Sequence, residues 1–144
     1  MSTVTVEGRT FTRDQLAELR ALSVELGALN SPCRKTDLAI FNLMSGVEHR
    51  FFYDEHEPEV VPRQGGGASF LLPAYTASLD AALTLHSVHA RLDPLKALER
   101  ALSRVRGYPL SILSRQEHCQ IVAREVTAIL LTEYAQQVAD RKGW

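Results

Sequence analysis

Hydrophobic positions recur at helical spacing along most of this chain and alternate with polar residues in a few short stretches. Val4 and Val6 alternate with polar neighbours, Glu7-Gly8 offers a turn, and Thr10-Phe11 returns, which predicts a small hairpin. Thr12 followed by Gln15 is a capping-box pattern, in which hydroxyl and amide satisfy free backbone N–H groups. It predicts a helix from about Arg13 to Leu29, with Leu16, Leu19, Leu22 or Ser23, and Leu26 as the apolar stripe. Ser31-Pro32 marks a second start, a cap residue with proline at the first helical position. Leu38, Ile40, Phe41, Leu43 and Met44 give that helix a broad apolar face. Gly46 stops it, since glycine accepts the left-handed conformation.

Residues 47–72 lose the helical period. Phe51-Phe52-Tyr53, Val60-Val61 and Phe70-Leu71-Leu72 are short β-prone pieces punctuated by Pro58, Pro62 and Gly65-Gly66-Gly67. Thr76 or Ser78 caps a further helix with Leu79, Ala82, Leu83 and His86 on one face. Asp93-Pro94 opens another, carrying Leu95, Leu98, Leu102 and Val105, with Gly107 and Pro109 as its stop. Ser114 with Glu117 is a second capping box and starts the longest helix, about Arg115 to Arg141. Helices and strands are segregated rather than alternating. The reading is therefore a single α+β domain over residues 1–144, dominated by helices. One small antiparallel sheet is expected from residues 3–11 and 48–72.

Composition narrows the class. Hydrophobic residues at 45% and charged residues at 23% are those of a globular domain, which excludes wholesale disorder. The net charge of -1 argues against a general nucleic-acid binder. No run approaches a membrane span, and the first residues lack the apolar core of a secretory signal. Cys33 and Cys119 make neither a disulfide framework nor a metal spacing. A cytoplasmic setting with no membrane partner and no cofactor is expected.

Local clusters carry what chemistry there is. Asp54, Glu55, Glu57 and Glu59 form an acidic loop around His56. It lacks calcium-loop spacing and reads as a solvated charge run. Its functional version is mimicry, in which a dense acidic patch occupies the nucleic-acid groove of a partner protein. Lys96, Arg100 and Arg104 line one helix face at four-residue spacing, flanked by Arg91 and Arg106. Such a row holds phosphates or an acidic partner surface. His86 and His89 share a helical face without a third ligand. The three glycines lack the lysine and hydroxyl of a phosphate loop. Cys33 sits near a helix start, with no histidine or acid beside it in sequence. No arrangement points to nucleophilic catalysis, so binding is favoured over chemistry.

Two segments resemble the phage ABA sandwich domain, a family of small phage and prophage proteins. One is Asp37-Leu38-Ala39-Ile40 through Ser45-Gly46. The other is the motif Pro73, Tyr75, Thr76, Ser78, Leu79, Asp80, Ala81 and Ala82. The likeness runs over about residues 13–86; beyond residue 87 the helical pattern of 94–106 replaces the tryptophan-rich strands typical of that family. The resemblance implies a phage or prophage origin. It implies no activity, because members mostly lack one. The motif also has a structural reading: Thr76 and Ser78 cap a helix, Asp80 suits the positive end of its dipole, and the alanines allow close packing. The expected function is a non-enzymatic accessory protein that binds a host protein. One concrete form is a host-defence antagonist of the anti-CRISPR type. The alternative is binding or sequestration of a small phosphorylated ligand by Lys96, Arg100 and Arg104, with the glycine run as a lid. The width of the apolar surface on the last helix further predicts a homodimer, in contact near Val126, Leu130 and Tyr134.

Overall fold

Thr12 ends the first hairpin and starts the first helix. The computed structural model describes residues 2–6, 9–56, 58–65, 67–85, 93–105 and 115–144. Strands β1 (Thr3–Val6) and β2 (Arg9–Thr12) pair antiparallel, with Val4 opposite Phe11 and Val6 opposite Arg9. The turn residues Glu7-Gly8 lie outside the described residues. Val4, Val6 and Phe11 face inward, as period-two alternation requires.

Helix α1 (Arg13–Ala28) has the predicted capping box. The Gln15 N–H donates to Thr12 Oγ1 at 3.2 Å, and the Thr12 N–H donates to Gln15 Oε1 at 2.8 Å. Thr12→Ala removes half of this exchange and is expected to cost about 1 kcal/mol, read as a lower midpoint in urea unfolding with an unchanged slope.

Helix α2 (Arg34–Ser45) starts later than Ser31-Pro32 implied. Its cap position is Cys33, whose side chain makes no capping bond. Gly46 closes it as predicted, at φ +73°, a conformation strained for any residue with a Cβ.

Strands β3 (His49–Phe51), β4 (Glu59–Pro62) and β5 (Phe70–Leu71) form an antiparallel sheet in that order. The single sheet expected from 3–11 and 48–72 is thus two sheets. The hairpin is committed to α1 and the core, whereas the three-stranded sheet leans on α2. There the His49 ring sits 4.8 Å from Phe41 and 5.6 Å from Phe70. The Asn42 side chain accepts the His49 N–H at 2.8 Å and donates to the His49 carbonyl at 3.3 Å, standing in for a missing strand on that edge.

Helix α3 (Leu79–Leu83) is short, and α4 (Pro94–Val105) and α5 (Arg115–Lys142) complete the fold. Helix α3 therefore ends before His86, which the sequence pattern included. The predicted capping residue Ser114 and the stop Gly107-Pro109 lie outside the described residues. Helices α1, α3 and α4 and strand β1 all pack on α5. An α-helix buried on several sides needs apolar residues around most of its girth, and α5 has them from Val122 to Ala139. Val126, Leu130 and Tyr134 are 0%, 3% and 2% exposed within the one chain. They form core, and the dimer contact predicted through them has no surface there. No described helix is long and apolar enough to cross a membrane.

Candidate functional site

The motif at residues 73–82 and the Asp37 element meet in the interior, and they do so through polar atoms. Asp37 and Thr76 are fully buried and Tyr75 nearly so. The Thr76 N–H donates to Asp37 Oδ1 at 2.9 Å, and Arg34 Nη1 donates to Asp37 Oδ2 at 3.1 Å. The Cys33 N–H donates to Thr76 Oγ1 at 2.9 Å, so the remote threonine satisfies a free donor at the start of α2. From α5, Arg124 Nη1 donates to the Thr76 carbonyl at 3.2 Å and the Thr127 hydroxyl to the Tyr75 carbonyl at 3.0 Å. Ser78 caps α3, accepting the Ala81 N–H at 3.3 Å.

This network locks α2, the 73–78 turn and α5 together. Burial pushes the Asp37 carboxyl above the ordinary carboxylate range, although the Thr76 bonds and Arg34 pull it down. Burial likewise pushes the Tyr75 phenol up to about 12. Tyr75, Thr76 and Ala82 are buried, and Asp80 is exposed at the start of α3, so the motif supports the structural reading of its residues. The sequence pattern gives Arg34 and Arg124 no role. The available signal was a cation interrupting the apolar run of α5 beside Ala123 and Val126.

A second polar joint holds β2 to α5. The Arg9 guanidinium lies 5.3 Å over the Tyr134 ring and donates to its hydroxyl. That hydroxyl donates to the Leu85 carbonyl at 3.1 Å. The sequence pattern points Tyr134 to an interface and gives Arg9 no role; the structure joins a buried Tyr134 to a half-buried Arg9.

The exposed chemistry sits on the three-stranded sheet. The β3–β4 connection carries Phe52 and Tyr53, 44% and 78% exposed, with ring centroids 4.5 Å apart edge to face. Asp54, Glu55 and Glu59 follow on the same connection and the start of β4; Glu57 lies outside the described residues. Asp54 Oδ1 accepts the His56 N–H at 2.8 Å, shaping the turn. Glu55 pairs with Lys35 of α2 at 3.5 Å, and Glu59 accepts the Ser69 hydroxyl at 3.2 Å. Phe70 and Leu71 of β5 are also exposed. Scattered apolar residues on a surface mean little, but neighbouring aromatics rimmed by charge mark contact sites. The sequence reading found the carboxylates and took the aromatics for strand.

The cationic row is where the pattern put it: Lys96, Arg100 and Arg104 are exposed along α4. Arg104 pairs with Glu125 of α5 at 3.5 Å. Among the described residues, no carboxylate pairs with Lys96 or Arg100. The glycine run lies in the β4–β5 connection, and no hydrogen bond or ion pair links its described residues to α4. Gly66, Arg91, Arg106, His86 and His89 lie outside the described residues. No group of three or more His, Cys, Asp or Glu side chains among the described residues is placed to hold a metal ion.

Comparison with known protein families, characterised proteins and solved structures finds no match.

Proposed function

We propose that the protein is a phage- or prophage-derived accessory protein that works by binding a host protein. The contact is the aromatic and acidic surface of the β3–β4 connection. The observation that carries this reading is the exposed Phe52–Tyr53 pair beside Asp54, Glu55 and Glu59. Aromatic anchors supply most of the energy in protein interfaces, and a rim of like charge steers the encounter and selects a complementary partner. The partner is therefore a cationic surface with an apolar pocket, as a nucleic-acid-binding groove provides. The origin is taken from the resemblance of the 37–46 and 73–82 segments. A host-defence antagonist is the narrower form of the same proposal. The cationic row of α4 supports sequestration of a phosphorylated ligand less well, because Arg104 is already engaged by Glu125.

The test is retention of a stoichiometric partner from bacterial host lysate, compared with the double variant Phe52→Ser, Tyr53→Ser. Both side chains are exposed, so the variant is expected to melt like the parent. Its affinity for the retained partner should fall about 30-fold or more, the scale of a lost aromatic anchor. Undiminished retention by the variant, or no partner on the parent, defeats the proposal.

A further inference from the structure

We infer a second binding surface, independent of the aromatic connection: the groove between α1 and α2 is a docking site for a cationic amphipathic helix of a partner protein. The groove encloses about 430 Å³. Its floor is apolar, made by Leu22 and Ala21 of α1, Leu43 and Ala39 of α2, and Val47 just beyond. Ala21 and Ala39 are exposed, and their small side chains leave a trough between the two helices. Helices pack at axial separations of about 8–10 Å by seating ridges in such troughs. A third helix is the shape that fills this one.

Charge selects the sign of the occupant. Three carboxylates line the groove, Glu18, Glu25 and Glu48, and no lysine or arginine does. Among the described residues, no hydrogen bond or ion pair engages the carboxylates of Glu18 and Glu48; Glu25 accepts the Thr36 hydroxyl at 3.0 Å. The C-terminal end of α2 opens at Gly46 on the same groove, with no basic residue in its last turn. Its unpaired carbonyls add negative potential. Glu18 and Glu25 are seven residues apart on one helix, about 10.5 Å along the axis. An incoming helix with lysine or arginine at i and i+7, and leucines between, matches both the carboxylates and the floor. Recognition of this kind reads apolar anchors at helical spacing and uses charge to set orientation.

The experiment uses the full isotopically labelled chain and three synthetic peptides. The first is an amphipathic helix of leucine, alanine and lysine with lysines at i and i+7. The second replaces each lysine with glutamate. The third scrambles the first to destroy its amphipathic face. Affinity is read by fluorescence anisotropy and position by amide shift changes. The lysine helix is expected to bind, with shifts concentrated in residues 15–25 and 39–48, and the other two at least about tenfold more weakly. Ala39→Trp fills the trough and Glu18→Lys reverses a rim charge. Both sites are exposed, so both variants should melt like the parent and bind the lysine helix about tenfold more weakly. If Ala39→Trp perturbs the fold, Glu18→Lys carries the comparison. The inference fails if no peptide binds, if the glutamate helix binds equally, or if the shifts fall elsewhere. It also fails if affinity survives Glu18→Lys. Spermine producing the same shifts while the lysine helix does not bind would mark a small-cation groove and overturn it as well.

Discussion

Replacing Asp37 with alanine is expected to lower the unfolding free energy by about 2–4 kcal/mol, the cost of removing the acceptor from a buried polar network. The Thr76 N–H lies in the interior and would lose its partner. Arg34 retains some access to water, with its side chain 27% exposed, which keeps the loss below that of a fully buried charge left alone. Asp37→Asn keeps an oxygen for Thr76 and turns an N–H donor toward Arg34 or the reverse, so about half the loss is expected.

The two variants also separate the roles of shape and charge through pH. The carboxyl of Asp37 titrates above 3.8 in the folded chain, chiefly because burial disfavours its charged form. The native state therefore binds the proton more tightly than the unfolded state between 3.8 and that raised value. In this window stability contributed by Asp37 falls as pH rises, and the penalty is complete above the folded value. Below 3.8 both states are protonated and the penalty is gone. The parent should accordingly gain on Asp37→Asn as pH is lowered from 7 toward 4 (about the lower end of the window). Urea midpoints across that range measure it. A difference that shrinks on acidification would mean that Arg34 and Thr76 outweigh burial.

What the sequence disclosed and what it hid follow one division. Elements set by neighbours in the chain were legible: the Thr12–Gln15 box, the Gly46 stop, a cap at Thr76 or Ser78 and the span of α5 each depend on residues within a few positions. Contacts across long separations were not. Asp37 and Thr76 are 39 residues apart, and nothing in either local pattern says that one accepts the other's N–H. The start of α2 shifted for the same reason, because the Cys33 N–H donates to Thr76 Oγ1 and not to a local cap. Strand pairing failed likewise. Alternation marks a strand but does not choose its partner, so the hairpin and the 49–71 strands were merged into one sheet. The candidate contact site was half visible. Its carboxylates stood out as a charge run, whereas exposure of Phe52 and Tyr53 depends on where β3 ends. The α1–α2 groove was invisible, because its trough depends on Ala21 and Ala39, which read as ordinary helix formers.

The long helix supplies the sharpest test of burial against assembly. Val126→Asp is expected to leave the chain largely unfolded at room temperature. The substitution forfeits about 1.5–3 kcal/mol of apolar burial. It also strands a carboxyl in an apolar interior, which costs several kcal/mol more. Together these rival the total stability of about 5–15 kcal/mol typical of a domain. Val126 is fully buried beneath elements of its own chain, in one cluster with Phe11, Leu19 and Leu131, so no rotation brings the charge to water. Val126→Ala, which only deletes methyl groups, should remain folded and lose about 2 kcal/mol. Circular dichroism and an amide correlation spectrum distinguish the outcomes: dispersed peaks for alanine, collapsed ones for aspartate. A dimer seam through Val126, Leu130 and Tyr134 makes the opposite forecast. The aspartate variant would then stay folded while its light-scattering mass fell from twice 16.0 kDa to that of one chain. A folded, half-mass Val126→Asp protein would show that α5 is covered by a second copy and not by α1, α3 and α4.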